Sequence, residues 1–311
     1  MRRKPGNRIL VAGTLVALAG VAVVVVLAVG DHGARAPSRA IAPESASGAW
    51  NIFVIDLKRR EPVQLTRNDE EEFTLDPAWE PGSKIAFSQA NCEGCPSQLL
   101  LIDPLSTTTS RVRSKFGGFI DPAWAPDGHE LAVARSGSGL YLIDVRTGVT
   151  RRLTRRPTDA SPTWSPDGRR IAFERQVSPT NWDIYLVPSR GGKPRPLLRT
   201  PAQETSAAWS PNGRWIAFAG QGRNGNWTIH VVRPNGTEDH ALTSKRRSSQ
   251  QPAWSPDGSR IAYLDQSGVE PIVLVMSARG GRTVRLSSPS LQANRPTWSP
   301  RGTEIAFAAK R

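Results

Sequence analysis

The feature that most constrains this chain is a tryptophan that returns six times at nearly even spacing. Trp79, Trp124, Trp164, Trp209, Trp254 and Trp298 are separated by 45, 40, 45, 45 and 44 residues. Each closes a related tetrapeptide: Asp76-Pro77-Ala78-Trp79, Asp121-Pro122-Ala123-Trp124, Ser161-Pro162-Thr163-Trp164, Ser206-Ala207-Ala208-Trp209, Gln251-Pro252-Ala253-Trp254 and Arg295-Pro296-Thr297-Trp298. A period of about 40–45 residues suits a four-stranded propeller blade and is too long for a leucine-rich or ankyrin repeat.

Each unit reads as four short strands. After the tryptophan comes a turn such as Ser165-Pro166-Asp167-Gly168, in which proline pre-sets φ and glycine takes the left-handed position. A second strand follows (Ile171-Ala172-Phe173, Ile261-Ala262-Tyr263), then a third (Ile184 to Val187, Ile229 to Val232, Val273 to Met276). The fourth ends in pairs such as Leu153-Thr154, Leu242-Thr243 or Leu286-Ser287. β-Branched and aromatic runs bounded by Gly, Pro and Asn are a strand signal throughout. The last unit, Trp298 to Ala308, supplies only two strands, and the missing two stand at the start: Trp50 to Ile55 matches Trp182 to Val187, and Pro62 to Thr66 matches the fourth-strand pattern. The expectation is therefore an all-β fold: a six-bladed β-propeller closed by pairing of its N- and C-terminal strands, which leaves only short protected edges.

These motifs resemble the TolB-like propeller repeats, which carry Trp-Ser-Pro-Asp-Gly followed by Ile-Ala-Phe, and the resemblance covers residues 50–311. Two turns depart from the pattern. The first reads Trp79-Glu80-Pro81-Gly82-Ser83, one residue short, and the last has Arg301 where Asp is expected. The resemblance implies the fold and a place in the cell envelope beside a protein partner. It does not imply the separate N-terminal domain that TolB itself carries, because residues 31–49 are too short to hold one.

Those first 49 residues read differently. Residues 1–8 are basic (Arg2, Arg3, Lys4, Arg8), and residues 9–30 carry no charge. As a helix at ~1.5 Å per residue the latter would span about 33 Å, enough for a bilayer core. The expectation is a single transmembrane signal-anchor over 9–30, a basic cytoplasmic segment over 1–8, a flexible Ala/Ser/Pro linker over 31–49, and a propeller outside the cytoplasmic membrane. A cleaved signal peptide ending near Ala28-Val29-Gly30 is the alternative.

The formal charge is +14, and residues 50–311 carry 35 Lys/Arg against 25 Asp/Glu. An exported chain of this charge suits anionic headgroups or a polyanionic envelope polymer, although solvated loop arginines explain most of it. The two cysteines, Cys92 and Cys95, stand in Asn-Cys-Glu-Gly-Cys-Pro. Outside the cytoplasm such a pair is expected to be a disulfide closing a loop. Pro96 rather than His follows Cys95, so a haem-attachment motif is excluded.

Propeller topology places the loops entering each first strand, and those joining second to third strands, on one variable face. That face would hold the Cys92–Cys95 loop, residues 178–181 and 221–226, the acidic run 69–72 and the basic run 245–247. Asp76, Asp121, Ser161, Ser206, Gln251 and Arg295 open the first strands and should ring one mouth of the central channel, as a ligand- or partner-binding set. Asp76 and Asp121, on adjacent blades, form a candidate metal pair, with Ca²⁺ the candidate cofactor because a hard cation takes six to eight oxygens.

Enzyme signals are poor. His32, His129, His230 and His240 show no metal spacing, no Gly-x-Ser-x-Gly elbow occurs, and no catalytic residue is assigned. No phosphate-cradling glycine loop or basic-aromatic platform for nucleic acid is found. The first reading is a monomeric, membrane-tethered, non-catalytic scaffold that binds an envelope protein, a peptide or a polyanionic envelope ligand. The second is a cation-dependent hydrolase or lyase working at the channel mouth. A bound metal lost on removing Asp76 separates them.

Overall fold

The computed structural model describes residues 49–68, 72–92, 95–198, 200–288 and 290–310, and the backbone of two short antiparallel strands, Val16–Leu18 and Val21–Val23. The rest of the predicted anchor 9–30 and of the linker lies outside the described residues. Among the described residues no helix is long and apolar enough to cross a membrane.

From Trp50 onward the chain forms six antiparallel four-stranded sheets. Blade 1 runs from Phe73–Trp79 through Ile85–Ala90 and Gln98–Ile102 to Thr109–Arg111. Blades 2 to 5 repeat it, with first strands Phe119–Trp124, Ala160–Trp164, Glu204–Trp209 and Ser249–Trp254. Blade 6 is built from both ends: Gln292–Trp298 pairs with Glu304–Lys310, that strand with Asn51–Asp56, and Asn51–Asp56 with Pro62–Gln64. The register Ile305↔Ile55 and Phe307↔Phe53 stacks the two phenylalanines at 6.0 Å. Closure therefore rests on a buried apolar seam, not on hydrogen bonds alone.

The second strands form the dry middle of each sheet. Ile85-Ala86-Phe87, Leu131-Ala132-Val133, Ile171-Ala172-Phe173 and their counterparts are all buried, the alanines completely. A methyl at that position lets neighbouring sheets approach closely, and the larger residues on either side fill the wedge between blades. The tryptophans pack there too: Trp124, Trp164, Trp209 and Trp298 are buried, while Trp79 and Trp254 are half-buried. Four of the six indoles donate Nε1–H to a backbone carbonyl of the preceding blade, Trp124 to Ala78, Trp164 to Ala123, Trp254 to Ala208 and Trp298 to Ala253, at 3.0–3.2 Å. Trp79 and Trp209 have no such partner.

Candidate functional site: the polar belt of the central channel

Every first strand carries a register shift, and the residue at that shift has a positive φ: Asp76 58°, Asp121 54°, Ser161 48°, Ser206 57°, Gln251 52° and Arg295 49°. The six residues expected to open the strands thus sit inside them, at a β-bulge. The next residue is proline in five blades and Ala207 in the other, and a residue without N–H suits the unpaired place in a bulge. A left-handed non-glycine residue is strained by roughly 1–2 kcal/mol, so six at equivalent places need a compensating interaction.

That interaction is a belt of side chain to backbone bonds from blade to blade. Asp121 Oδ2 accepts the Ser161 N–H at 2.9 Å, and Gln251 Oε1 accepts the Arg295 N–H at 2.7 Å. A serine side chain is too short for the same reach from blade 3, and there Glu174, on the second strand, accepts the Ser206 N–H at 2.6 Å. The bulges at Ser161, Ser206 and Arg295 thus each aim a backbone N–H at the preceding blade.

Arg295 crosses the channel. Its Nε lies 3.0 Å from Asp76 Oδ1, its Nη2 2.9 Å from Asp121 Oδ1, and Nη2 also donates to Ser161 Oγ at 3.0 Å. One guanidinium from blade 6 therefore ties together blades 1, 2 and 3. The charge that a metal ion would bring to Asp76 and Asp121 is brought by this arginine, and among the described residues no group of three or more His, Cys, Asp or Glu stands close enough to hold a metal.

The belt is electrostatically loaded. Burial pushes Asp76 up to about 6; Arg295 opposes the rise and Asp121 adds to it. Burial pushes Glu174 up to about 7, against the Ser206 N–H and Arg295. Burial works against the charged form of Arg295, but Asp121, Asp76 and Glu174 together outweigh it and raise its pKa above the usual guanidinium value.

On the tryptophan side of the belt the channel widens into a cavity of about 330 Å³. Ser161, Glu174, Ser206, Gln251 and Arg295 line its polar end, and the Pro, Ala, Thr and Trp residues that follow each bulge form its walls. Pro81, from the turn after Trp79, also lines it, so the cavity extends toward the face of the Pro-Asp-Gly turns. The six residues singled out in the sequence stand at equivalent bulge positions, and Glu174 was not among them. The signal was there: aligned behind Ile-Ala-Phe, the six blades read Ser88, Ala134, Glu174, Ala219, Leu264 and Ala308, and Glu174 is the one charge.

The loop face holds the remaining candidates. Cys92 and Cys95 are joined in a disulfide. Asn224 and Asn226 both donate to the Lys245 carbonyl at 3.1 Å, tying two predicted loops together. Arg247 pairs with Asp265 at 2.5 Å. Of the acidic run only Glu72 is among the described residues.

A profile of the TolB β-propeller domain matches residues 68–300. The chain belongs to the TolB β-propeller family. Among solved structures, the putative TolB from Agrobacterium tumefaciens superposes with a TM-score of 0.73 at 22% identity, over 86% of this chain and 99% of that one. TolB from Acinetobacter baumannii gives 0.61 at 18% identity, over 84% of this chain and 63% of the other. An oligogalacturonate lyase solved in complex with manganese gives 0.57 at 15% identity, over 84% and 82%. At these identities the shared property is the propeller itself.

Proposed function

We propose that this TolB-family propeller is a non-catalytic binding scaffold, held outside the cytoplasmic membrane by its N-terminal apolar segment, and that its channel cavity receives part of an envelope protein, a peptide or a polyanionic envelope ligand. The observation that carries the reading is Arg295. It commits both acidic residues of the candidate metal pair to one internal ion-pair network, so the belt serves as a rigid end to a cavity more than as a set of free acids and bases. A pre-formed concave site of this size with a few convergent polar groups is the usual form of a binding pocket. The alternative, a cation-dependent hydrolase or lyase, requires Asp76 and Asp121 to exchange Arg295 for a metal.

The test is site-specific photocrosslinking in intact cells from position 163, on the cavity wall. A discrete adduct from the otherwise wild-type chain, lost when Thr297→Arg blocks the cavity, supports the scaffold. No adduct, together with purified protein that holds stoichiometric Ca²⁺ or Mn²⁺ and loses it on Asp76→Asn, sinks the scaffold in favour of the enzyme.

A further inference from the structure

The loop face of blade 2 carries a cluster of cations that no carboxylate neutralises. Three loops build it: residues 112–118 enter the first strand of blade 2, residues 136–138 join its second and third strands, and residues 153–159 enter blade 3. Between them these loops hold one acid, Asp159, and Arg175 takes both its oxygens at 2.7 Å. Lys115, Arg135, Arg152, Arg155 and Arg156 form no ion pair among the described residues.

What holds the cluster in place leaves its charge intact. Phe116, 37% exposed, is its centre. Lys115 Nζ lies 5.5 Å and Arg135 Cζ 5.2 Å from the centroid of that ring, which meets Tyr141 edge-on at 6.1 Å. Arg152 in turn lies over Tyr141, its Cζ 5.8 Å from the centroid. An aromatic face attracts a cation through its quadrupole without neutralising it. The hydrogen-bond partners are neutral as well. Arg135 donates through Nε to the Gly117 carbonyl at 3.1 Å and through Nη1 to Ser138 Oγ at 3.3 Å. Arg152 donates through Nε to the Thr154 carbonyl at 3.0 Å, and through Nη2 to the carbonyls of Ser138 and Arg155. Ser138 thus ties the two arginines together. The Arg155-Arg156 segment runs beside them, since a Cβ built on Gly139 would lie 2.8 Å from the Arg156 carbonyl oxygen. The guanidinium groups of Arg135 and Arg152 are fixed in position and keep their full charge.

We propose that this cluster is a docking site for a linear polyanion of phosphodiester repeats. Charge complementarity sets the sign of the occupant, and five cations exceed what one phosphate group balances, so the occupant carries several anionic groups in succession. The donors stand on three separate loops. A tetrahedral phosphate accepts from several directions, whereas a carboxylate accepts close to one plane. Four of the five cations are arginines, whose forked N–H groups suit phosphate oxygens. The Phe116 ring is already engaged by Lys115 and Arg135, so it is no platform for base stacking, which sets nucleic acid aside. None of these residues lines the channel cavity, and the proposal does not rest on it.

Long-chain inorganic polyphosphate is the probe, titrated by microscale thermophoresis against the dye-labelled full-length chain in neutral detergent. Saturable binding is expected, weakening steeply with salt as counterion release requires. Combining Lys115→Gln, Arg155→Gln and Arg156→Gln removes three exposed charges that pair with no group among the described residues. This triple variant is expected to bind roughly tenfold or more weakly, with the slope of log affinity against log salt flatter by about two to three. A control triple variant, Lys58→Gln, Arg59→Gln and Arg60→Gln, removes the same charge from an exposed turn on the opposite face, beside Thr303. It leaves the affinity within about twofold. Equal losses in the two triple variants would show that net charge alone holds the polymer, and overturn the site. Absence of saturable binding overturns it too. So does full displacement by dihexanoyl-phosphatidylglycerol at equal phosphate concentration, which assigns the cluster to single lipid headgroups. Tighter binding of polyglutamate of equal charge assigns it to carboxylates and overturns the phosphodiester.

Discussion

The belt around the channel and the ring of turns at one face are both made of six equivalent positions, yet they respond to sequence change in opposite ways. In the belt the six positions carry four residue types (Asp, Ser, Gln and Arg), and the ring still closes. Asp121, Gln251 and Glu174 each find the N–H of the next bulge, and Arg295 spans three blades. In the turns proline and glycine recur in all six, and beside the one turn that is a residue short a cavity stands between Gly82 and Pro300. Long polar side chains can vary in length and direction to meet a fixed backbone donor. A glycine meeting a proline ring has no such latitude, because the contact is made by backbone and a rigid ring.

The comparison can be broken first at Arg295. If the belt is a heterotypic network held by one cation, Arg295→Met leaves Asp76 and Asp121 buried without a counter-charge and lowers unfolding free energy by about 3–5 kcal/mol. Urea denaturation reads this directly. Adding Asp76→Asn and Asp121→Asn recovers a large part of the loss, and failure to recover any would show that the arginine acts by packing instead of charge.

The second test bears on the turns and their tryptophans. Trp164 donates to Ala123 across its junction, whereas Trp79, which lines the cavity with Gly82 and Pro300, makes no such bond. Trp164→Ala is expected to cost about 3 kcal/mol or more, and Trp79→Ala less by about 1 kcal/mol, the usual net worth of one hydrogen bond. Equal costs would mean that the junction of blades 6 and 1 packs as well as the others.

The smallest effect concerns a buried acid outside both rings. Glu204, at the start of the blade 4 first strand, is buried, with Oε1 accepting from Thr200 at 2.7 Å and Oε2 without a partner. Burial pushes it up to about 7 from 4.5, the Thr200 hydroxyl working against the rise and Asp183 adding to it. A carboxyl raised in the folded state favours folding while protonated. Its contribution is complete below about pH 4.5 and lost as pH rises through about 7. Glu204→Gln should therefore flatten the pH dependence of stability over that window and gain on the order of 2 kcal/mol near pH 8. Glu174→Gln, inside the belt, should flatten the pH dependence over a similar window, because its shift to about 7 is already net of the Ser206 N–H and Arg295. An unchanged pH profile in Glu204→Gln would remove Glu204 as the titrating group.

The six-bladed architecture was legible from the tryptophan period and the strand patterns between its members, down to the two strands at the start that complete the last blade. That legibility has a physical source: each blade must bury the same wedge, so apolar residues and turn residues recur in register. The set Asp76, Asp121, Ser161, Ser206, Gln251 and Arg295 was legible for the same reason, as variable residues at one repeat position. The bulge was not legible, because a positive φ on Asp, Gln or Arg has no local sequence signal and is held only by a neighbouring blade. Nor were the partners. That Arg295 neutralises Asp76 and Asp121 depends on positions 219 and 174 residues apart in the chain returning to one axis. Short-range pattern therefore determined the strands, the turns and their number. Ring closure alone decided which side chains meet across the channel, that Glu174 joins the belt, and that the two irregular turns, at opposite ends of the repeat, face each other over one cavity.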